Sequence, residues 1–191
     1  SDIIHQLPQM ARLKPYIIEN AQVTATASDG FGIVKQDGRV IFVPYAVPGD
    51  EIELLVNRKK RRSFFGEIQS LTKPSADRVE PRCAHFGLCG GCKWQMMDYS
   101  AAQLRIKQQQ VIDAFERIGK VAIGEVRDIL GVKEPWFYRN QLEFSFSAKP
   151  WLTREQIASG KEYNESALGF HVPGVYEKVF TVKTCHLQRP V

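Results

Sequence analysis

The four cysteines of the chain restrict its fold more than any other feature. Three lie in the segment Cys83-Ala-His-Phe-Gly-Leu-Cys89-Gly-Gly-Cys92, and the fourth, Cys185, lies near the end of the 191 residues. The two glycines between Cys89 and Cys92 allow a tight bend that can turn both sulfurs toward one point. A single metal centre that uses all four thiolates requires a fold that returns residue 185 to this loop.

Two kinds of metal centre are compatible with this pattern, an iron–sulfur cluster and a structural zinc. Zinc ribbons usually pair two Cys-x2-Cys knuckles, and only one is present here, so the spacing favours a cluster. His85, His171 and His186 keep the zinc alternative open. Two disulfides, or unrelated cysteines that pack as small apolar residues, are the non-metal alternatives. Four cysteines without a secretory segment are too few for a disulfide scaffold, which favours a metal centre.

Composition and charge exclude some classes of protein and favour one kind of partner. Hydrophobic residues make up 43% of the chain, which is ordinary for a globular core, and no apolar run is long enough to span a membrane. We therefore expect a cytoplasmic monomer without a membrane partner. The net charge of +5 favours a polyanionic partner.

Residues 14–73 alternate between short apolar runs and tight turns. Asp37-Gly38 separates two such runs and predicts a hairpin, because glycine accepts the positive φ of a primed turn. Ile52, Leu54 and Val56 alternate with polar residues, as in a strand with one buried face. Five short strands in about sixty residues predict a small closed barrel of the OB type.

The rest of the chain predicts a more mixed organisation, so that the whole is mainly β with an α/β part. Residues 1–13 are a leader, residues 74–97 are a linker and the cysteine loop, and residues 98–191 form a central α+β domain with an antiparallel sheet. In that domain Ser100-Ala-Ala-Gln103 predicts a capping box that opens a helix. Apolar residues at helical spacing predict that one face of this helix packs in a core: Leu104, Val111, Ile112, Phe115 and Ile118.

Alternating residues 142–147 predict a half-buried strand in the central domain. Pro173-Gly174 then predicts a hairpin whose second strand leads directly to Cys185. The predicted sheet would therefore carry the fourth cysteine back to the cysteine loop.

Several basic and aromatic residues form a candidate nucleic-acid interface. Five consecutive cations, Arg58 to Arg62, fall in the predicted turn between the last two barrel strands, where phosphate would relieve their repulsion. Aromatic rings beside such a turn can stack on bases. The predicted RNA-binding residues are Lys59, Lys60, Arg61, Arg62, Phe64, Lys93, Arg139 and Asn140.

No catalytic residue can be nominated from the sequence. Gly30 and Gly32 lie in a β-turn region, not between a strand and a helix as a nucleotide-binding fingerprint requires. The proposed metal centre uses every cysteine, so none remains as a nucleophile.

Particular motifs resemble a known family. Phe31-Gly-Ile, Phe42-Val-Pro and Pro48-Gly-Asp50 resemble a TRAM domain, a small RNA-binding barrel. The cysteine segment and its surroundings resemble the iron–sulfur RNA uracil-5-methyltransferases, through Ser75, Arg78-Val79, Pro81, Cys83 to Gln95, Tyr99, Gln103-Leu104, Lys107, Tyr138-Arg139-Asn140 and Cys185 to Gln188. The resemblance extends over nearly the whole chain.

The resemblance implies an S-adenosylmethionine-dependent enzyme that methylates C5 of uridine in RNA, with ribosomal RNA preferred over transfer RNA. It implies a 4Fe–4S cluster held by Cys83, Cys89, Cys92 and Cys185. The family's nucleophile, base and S-adenosylmethionine site belong to a C-terminal Rossmann-like domain that has no counterpart here. We therefore expect an N-terminal fragment that is inactive by itself. The alternative is a stand-alone iron–sulfur or zinc-stabilised nucleic-acid-binding module.

Overall fold

The computed structural model describes residues 13–189, which fall into two compact units with a boundary between Ser75 and Ala76. The predicted leader, residues 1–13, lies outside the described residues except for Leu13, which packs against the core of the first unit. Within the described range no helix combines the length and apolarity that crossing a membrane requires.

The first unit consists of strands and turns, and the second contains both strands and helices. The strands of the first unit are β1 (Tyr16–Thr26), β2 (Gly32–Gln36), β3 (Arg39–Val43), β4 (Glu51–Lys60) and β5 (Ser63–Lys73). The second unit contains helices α1 (Leu104–Asp113) and α2 (Arg154–Ala158), π-helical turns Tyr99–Gln103 and Ala114–Ile118, and strands β6 (Ser145–Ser147), β7 (Ala167–Val172) and β8 (Val175–Thr181).

The first unit is a closed barrel with the strand order β1-β2-β3-β5-β4. Strand β1 pairs with both β2 and β4, and the parallel pairing of β3 with β5 completes the closure. Asp37 and Gly38 both have positive φ, 49° and 71°, as a primed hairpin turn requires. The sequence prediction of a mainly β chain with a five-stranded barrel is confirmed.

The barrel core is filled by the inward-facing half of each strand. Ile52, Leu54 and Val56 of β4 are fully buried, so the alternation read from the sequence marks the inner face. Gly32 belongs to this packing, because a Cβ at this position would lie 2.7 Å from the Cβ of Ala46. The remaining buried members of the cluster are Ala21, Val23, Val34, Ile41, Val43, Ala46 and Phe64.

Asp50 is a buried charged residue at one end of the barrel. Its two carboxylate oxygens accept the backbone N–H groups of Val47 at 2.7 Å and of Ser75 at 2.9 Å. Its backbone carbonyl accepts the N–H of Val23 at 2.9 Å. Gly49 has a φ of +94°, which glycine adopts without strain. Asp50 thus connects β1, the turn before β4 and the segment after β5.

The second unit contains an antiparallel sheet with the order β6-β7-β8. The predicted hairpin is present, and Gly174 in its turn has a φ of +79°. The predicted strand at residues 142–147 is shorter, because ladder pairing begins only where Ser145 faces Gly169. The predicted faces are also wrong in this strand, because Phe146 is 80% exposed whereas Ser145 and Ser147 are half-buried.

The helical segment begins differently from the prediction. Asp98, rather than Ser100, caps the π-helical turn: its carboxylate accepts the N–H of Ala101 at 2.6 Å and the hydroxyl of Ser100 at 3.1 Å. These bonds, the first more than the second, hold the pKa of Asp98 below its ordinary value. The amide of Gln103 donates to the carbonyls of Trp94 and Met97 at 3.0 and 2.8 Å, so Gln103 does not complete a capping box.

The apolar face of this helix is not in a core, contrary to the prediction. Val111, Phe115 and Ile118 are 57%, 50% and 83% exposed, and no residue of α1 is buried. Helical spacing predicts that apolar residues share one face of a helix, but it does not predict whether another part of the protein covers that face.

Replacing Asp50 by asparagine tests its role in the barrel. Asparagine keeps one acceptor, but its NH2 group would face a backbone N–H, leaving a buried donor unsatisfied. We expect D50N to lower the free energy of unfolding by about 2–4 kcal/mol in urea denaturation. The exposed D37N change, at a left-handed position that asparagine tolerates, should alter it by less than about 0.5 kcal/mol. Equal stability of D50N and wild type would contradict this role.

Candidate cofactor site and nucleic-acid interface

The cysteine loop is built from short turns that hold the three thiols on one side. The N–H of Phe86 donates to the carbonyl of Cys83 at 3.0 Å, and the N–H of Cys89 donates to the carbonyl of His85 at 2.9 Å. The side-chain oxygen of Gln95 accepts the N–H of Cys83 at 3.0 Å, which ties the start of the loop to its end. These bonds order the loop through its backbone.

The two glycines of the loop serve a different purpose from the one that the sequence suggested. Neither Gly90 nor Gly91 has a positive φ; in this loop Gly87 does, at +88°. A Cβ on Gly90 would collide with the carbonyl of His171, and one on Gly91 would lie 3.4 Å from the ring of Phe170. The glycines therefore allow the loop to lie directly against β7.

Cys185 returns to the loop on a segment that is held by backbone bonds. The N–H of Phe137 donates to the carbonyl of His186 at 2.9 Å, and the N–H of Arg139 donates to that of Leu187, also at 2.9 Å. The residues just after Cys185 are therefore fixed against residues 137–139.

Arg82 forms a contact between the two cysteine-bearing segments that the sequence did not reveal. Its guanidinium carbon lies 5.3 Å from the ring centroid of Trp136 and 5.2 Å from that of Phe137. Both rings also meet His186 edge to face, at 6.3 and 6.0 Å. These cation–π and aromatic contacts connect the residue before Cys83 to the residue after Cys185.

All four cysteines line one apolar cavity, and none forms a disulfide. Burial raises the pKa of the Cys89 thiol, and the neighbouring Cys92, Cys83 and Cys185 raise it further. Burial likewise raises the pKa of Cys92, with Cys185 and Cys83 adding to it. Bonds from Gly91 to Cys89 and from Gln95 to Cys92, and the charge of Arg139 near Cys92, act in the opposite direction. The thiolates would repel one another, so a positively charged centre suits the cavity.

The same cavity holds two histidines. The Nδ1 atoms of His85 and His186 are buried and have no hydrogen-bond partner among residues 13–189. His171 does not line this cavity, and its Nε2 lies 3.1 Å from the hydroxyl of Ser145. Four thiols with two histidine nitrogens fit the chemistry of a thiolate-bound iron–sulfur cluster, whose sulfurs accept hydrogen bonds. In the described part of the chain, no three His, Cys, Asp or Glu side chains are grouped closely enough to hold a single metal ion.

The basic hairpin of the first unit connects the end of β4 to the start of β5. Lys60 pairs with Ser63, so that Arg61 and Arg62 alone form the turn. Arg61 has a φ of +55°, a left-handed conformation that favours glycine. The predicted basic residues Lys59, Lys60, Arg61 and Arg62 are all exposed.

Phe64 and Phe65 face opposite sides of the barrel wall. Phe64 was predicted to contact RNA, but its ring lies in the core and is only 8% exposed. Phe65 instead lies on the outer face, next to Phe42, with ring centroids 5.5 Å apart. The ring that faces outward is therefore that of Phe65, the neighbour of the predicted Phe64.

The remaining predicted RNA-binding residues lie in the second unit. Lys93, Arg139 and Asn140 are exposed. Arg139 forms an isolated bridge to Gln188. The Tyr138 hydroxyl, 3.5 Å from its Nε, is the main cause of a raised Arg139 pKa, and the charges of Cys92 and Cys185 add to it.

Comparison with known proteins places the first unit in a family of domains. Residues 20–76 match the family model described as tRNA (uracil(54)-C(5))-methyltransferase, TRAM domain. Residues 20–76 form a TRAM domain. The TRAM resemblance that was based on Phe31, Phe42 and Pro48–Asp50 is confirmed for this part of the chain.

Curated relatives resemble a longer stretch of the chain. An uncharacterized RNA methyltransferase of Bacteroides thetaiotaomicron is 45% identical over 163 residues, which cover 85% of this chain and 36% of the relative. One from Porphyromonas gingivalis is 44% identical over 170 residues, covering 87% and 36%. The chain therefore spans about a third of the length of these relatives.

One solved structure is weakly similar to this chain. It is the crystal structure of Pyrococcus abyssi tRNA (uracil-54, C5)-methyltransferase in complex with S-adenosyl-L-homocysteine. The superposition has a TM-score of 0.49 at 23% identity and covers 87% of this chain and 32% of that chain.

The raised thiol pKa values predict a pH dependence of stability. Folded Cys89 and Cys92 keep their protons to higher pH than in the unfolded chain, where the ordinary value is 9.0. Their contribution to stability is thus complete below that value and is lost as the pH rises through the folded-state pKa. We expect the melting temperature of reduced, chelator-treated protein to fall more steeply from about pH 8.5 to 10 than that of C89A/C92A. Equal slopes would contradict the prediction.

Proposed function

We propose that this chain is the RNA-binding, cluster-bearing N-terminal part of an S-adenosylmethionine-dependent RNA (uracil-C5) methyltransferase. The observation that carries the proposal is the TRAM domain at residues 20–76, in a chain about 45% identical to proteins named RNA methyltransferases. Because the chain spans about a third of those relatives, the methyl-transfer chemistry is assigned to the longer protein. By itself the chain binds RNA without methylating it.

The charge distribution of the barrel supports the RNA-binding part of this proposal. Exposed cations from Arg58 to Arg62 extend along the end of β4 and through the hairpin turn. Such a group releases counterions when it meets phosphates, which makes affinity strongly salt-dependent. A positively charged site on a small barrel is a common arrangement for binding single strands.

We further propose that Cys83, Cys89, Cys92 and Cys185 hold a 4Fe–4S cluster. Support comes from the shared cavity and from the soft thiolate donor set. When bound, such a cluster supplies a rigid connection between the loop and the strand-delivered cysteine, with no role in methyl transfer. His85 and His186 line the same cavity and have unpaired Nδ1 atoms, which supports a role for them as N–H donors to the cluster sulfurs.

Binding and methylation assays test the function directly. We expect the 191-residue chain to bind uridine-containing RNA hairpins with an affinity that falls steeply between 50 and 200 mM salt, on the order of tenfold or more. A ribosomal RNA hairpin should bind more tightly than a transfer RNA, and the chain should show no methyl transfer from S-adenosylmethionine. Absence of RNA binding at low salt would overturn the proposal; tighter transfer RNA binding would overturn only the ribosomal preference.

Arg61→Gly separates the two properties of the hairpin turn. Glycine adopts the positive φ of Arg61 without strain, so we expect R61G to raise the free energy of unfolding by about 0.5–1 kcal/mol. Loss of one cation should weaken RNA binding and reduce its salt dependence by about one phosphate contact. The exposed Arg127→Gly change, outside the hairpin, serves as the matched control for RNA affinity. An R61G protein that binds as tightly as wild type, with the same salt slope, would remove the hairpin from the RNA surface.

Cys185→Ser tests the shared cluster. We expect the anaerobically purified variant to lose iron and sulfide and to melt more than about 5 °C below wild type, since the distant ligand closes the site. Thr184→Ser, which lines the same cavity without being a proposed ligand, should retain both properties. Wild-type iron and sulfide content in C185S, or one zinc without iron in wild type, would contradict the cluster.

A further inference from the structure

One row of side chains crosses three strands on the outside of the barrel. Phe42 of β3 lies opposite Phe65 of β5, and Phe65 lies opposite Arg58 of β4. Register partners point to the same face of a sheet. The preceding pair, Ile41 and Phe64, points into the core, so this row faces outward.

The side chains of this row are in mutual contact. The rings of Phe42 and Phe65 lie 5.5 Å apart with an interplanar angle of 30°. Phe31, just before β2, meets the ring of Phe65 edge to face at 6.3 Å. The guanidinium carbon of Arg58 lies 4.3 Å from the ring centroid of Phe65. The cluster therefore consists of three adjoining aromatic rings and one stacked cation.

The core of the barrel does not use these rings. Phe31, Phe42 and Phe65 are half-buried and do not belong to the buried core cluster. Their exposed parts leave apolar surface in water, which is unfavourable unless another molecule covers it. The strands on either side hold the rings in place, so binding would order few additional groups.

The charges around the rings identify the chemistry of a suitable occupant. Arg58 to Arg62 continue from the edge of the aromatic cluster to the hairpin tip. Nearby acids are already engaged: Glu67 accepts the amide of Asn57 at 2.9 Å, and Asp29 accepts the N–H of Phe31 at 3.3 Å. Flat apolar rings beside several cations match a ligand with flat bases on an anionic backbone.

We propose that Phe31, Phe42, Phe65 and Arg58 form a stacking platform for unpaired bases of single-stranded RNA. Lys59 to Arg62 hold the adjoining phosphates. This inference rests on the proposed RNA-binding function. It states that the contribution of the bases to RNA affinity comes from this platform. It also replaces Phe64, whose ring is in the core, with residues whose rings face outward.

The test compares two RNA probes that carry the same phosphates. One is a single-stranded oligonucleotide, and the other is its abasic counterpart; fluorescence anisotropy with the 191-residue chain gives both affinities. Wild type should prefer the base-bearing RNA. F42L and F65L should weaken its binding by about fivefold to a hundredfold, while affinity for abasic RNA and the salt slope stay unchanged.

Two further variants separate loss of stacking from loss of structure. F65Y keeps an aromatic face and should bind as wild type does, whereas F146L removes an 80% exposed ring from β6, outside the platform, and should leave binding unchanged. The wild-type comparison of the two probes does not depend on any variant folding. Circular dichroism melting of F42L and F65L verifies that the barrel is intact.

The outcomes distinguish the platform from the broader function. If wild type binds both probes equally, or if folded F65L retains the preference for bases, the platform is wrong although RNA binding stands. If wild type binds neither probe at low salt, both the platform and the proposed RNA-binding function fail. Selective loss of base-dependent affinity in F42L and F65L, with recovery in F65Y, supports the platform.

Discussion

The barrel depends on one buried carboxylate. Asp50 accepts two backbone N–H groups, one from Val47, three residues before it, and one from Ser75, 25 residues after it. A carboxylate in the interior is costly unless hydrogen bonds satisfy it, and these bonds also satisfy backbone donors that would otherwise be unpaired. The turn at Pro48-Gly49 and the chain after β5 are therefore held by the same group, whose backbone carbonyl also binds Val23 within β1.

The second unit brings its cysteines together by contacts that do not involve sulfur. Arg82 lies between Trp136 and Phe137, which in turn contact His186, and the small size of Gly90 lets the loop reach β7. These interactions hold the four cysteines together although their thiolates would repel one another. Burial and this repulsion raise the pKa of Cys89. A centre that binds thiolates would have to release those protons on binding, so its affinity would increase with pH. Contacts within the protein thus bring the four cysteines together. The positive charge of a bound centre would offset the repulsion between their thiolates.

The sequence predicted the features that depend on local patterns, and it missed those that depend on register. The five short strands, including the alternation in β4 and the Asp37-Gly38 turn, predicted the barrel, because each of these patterns is read from neighbouring residues. Phe64 and Phe65 were harder: adjacent strand residues always face opposite sides, but only the pairing of Phe64 with Ile41 decides which ring is inside. Arg82 could not be found for a similar reason, since its partners are more than fifty residues away. The cysteine spacing predicted that the four thiols share one site, and all four line one cavity, but that they hold a metal centre stays a prediction.

On the outer surface of the TRAM domain, the stacking residues lie mainly on strands, whereas the phosphate-binding residues lie at the hairpin turn. The rings of Phe42 and Phe65 lie on strands that are paired on both sides, where their orientation is fixed before any ligand arrives. The cations of Arg61 and Arg62 sit in a two-residue turn, where long side chains sample many positions and where a left-handed Arg61 is retained at some cost in stability. Stacking requires a defined plane, but attraction to phosphate acts over several ångströms and tolerates that freedom. A glycine would suit the turn better, so the presence of arginine there is consistent with a contribution of its charge to binding rather than to folding.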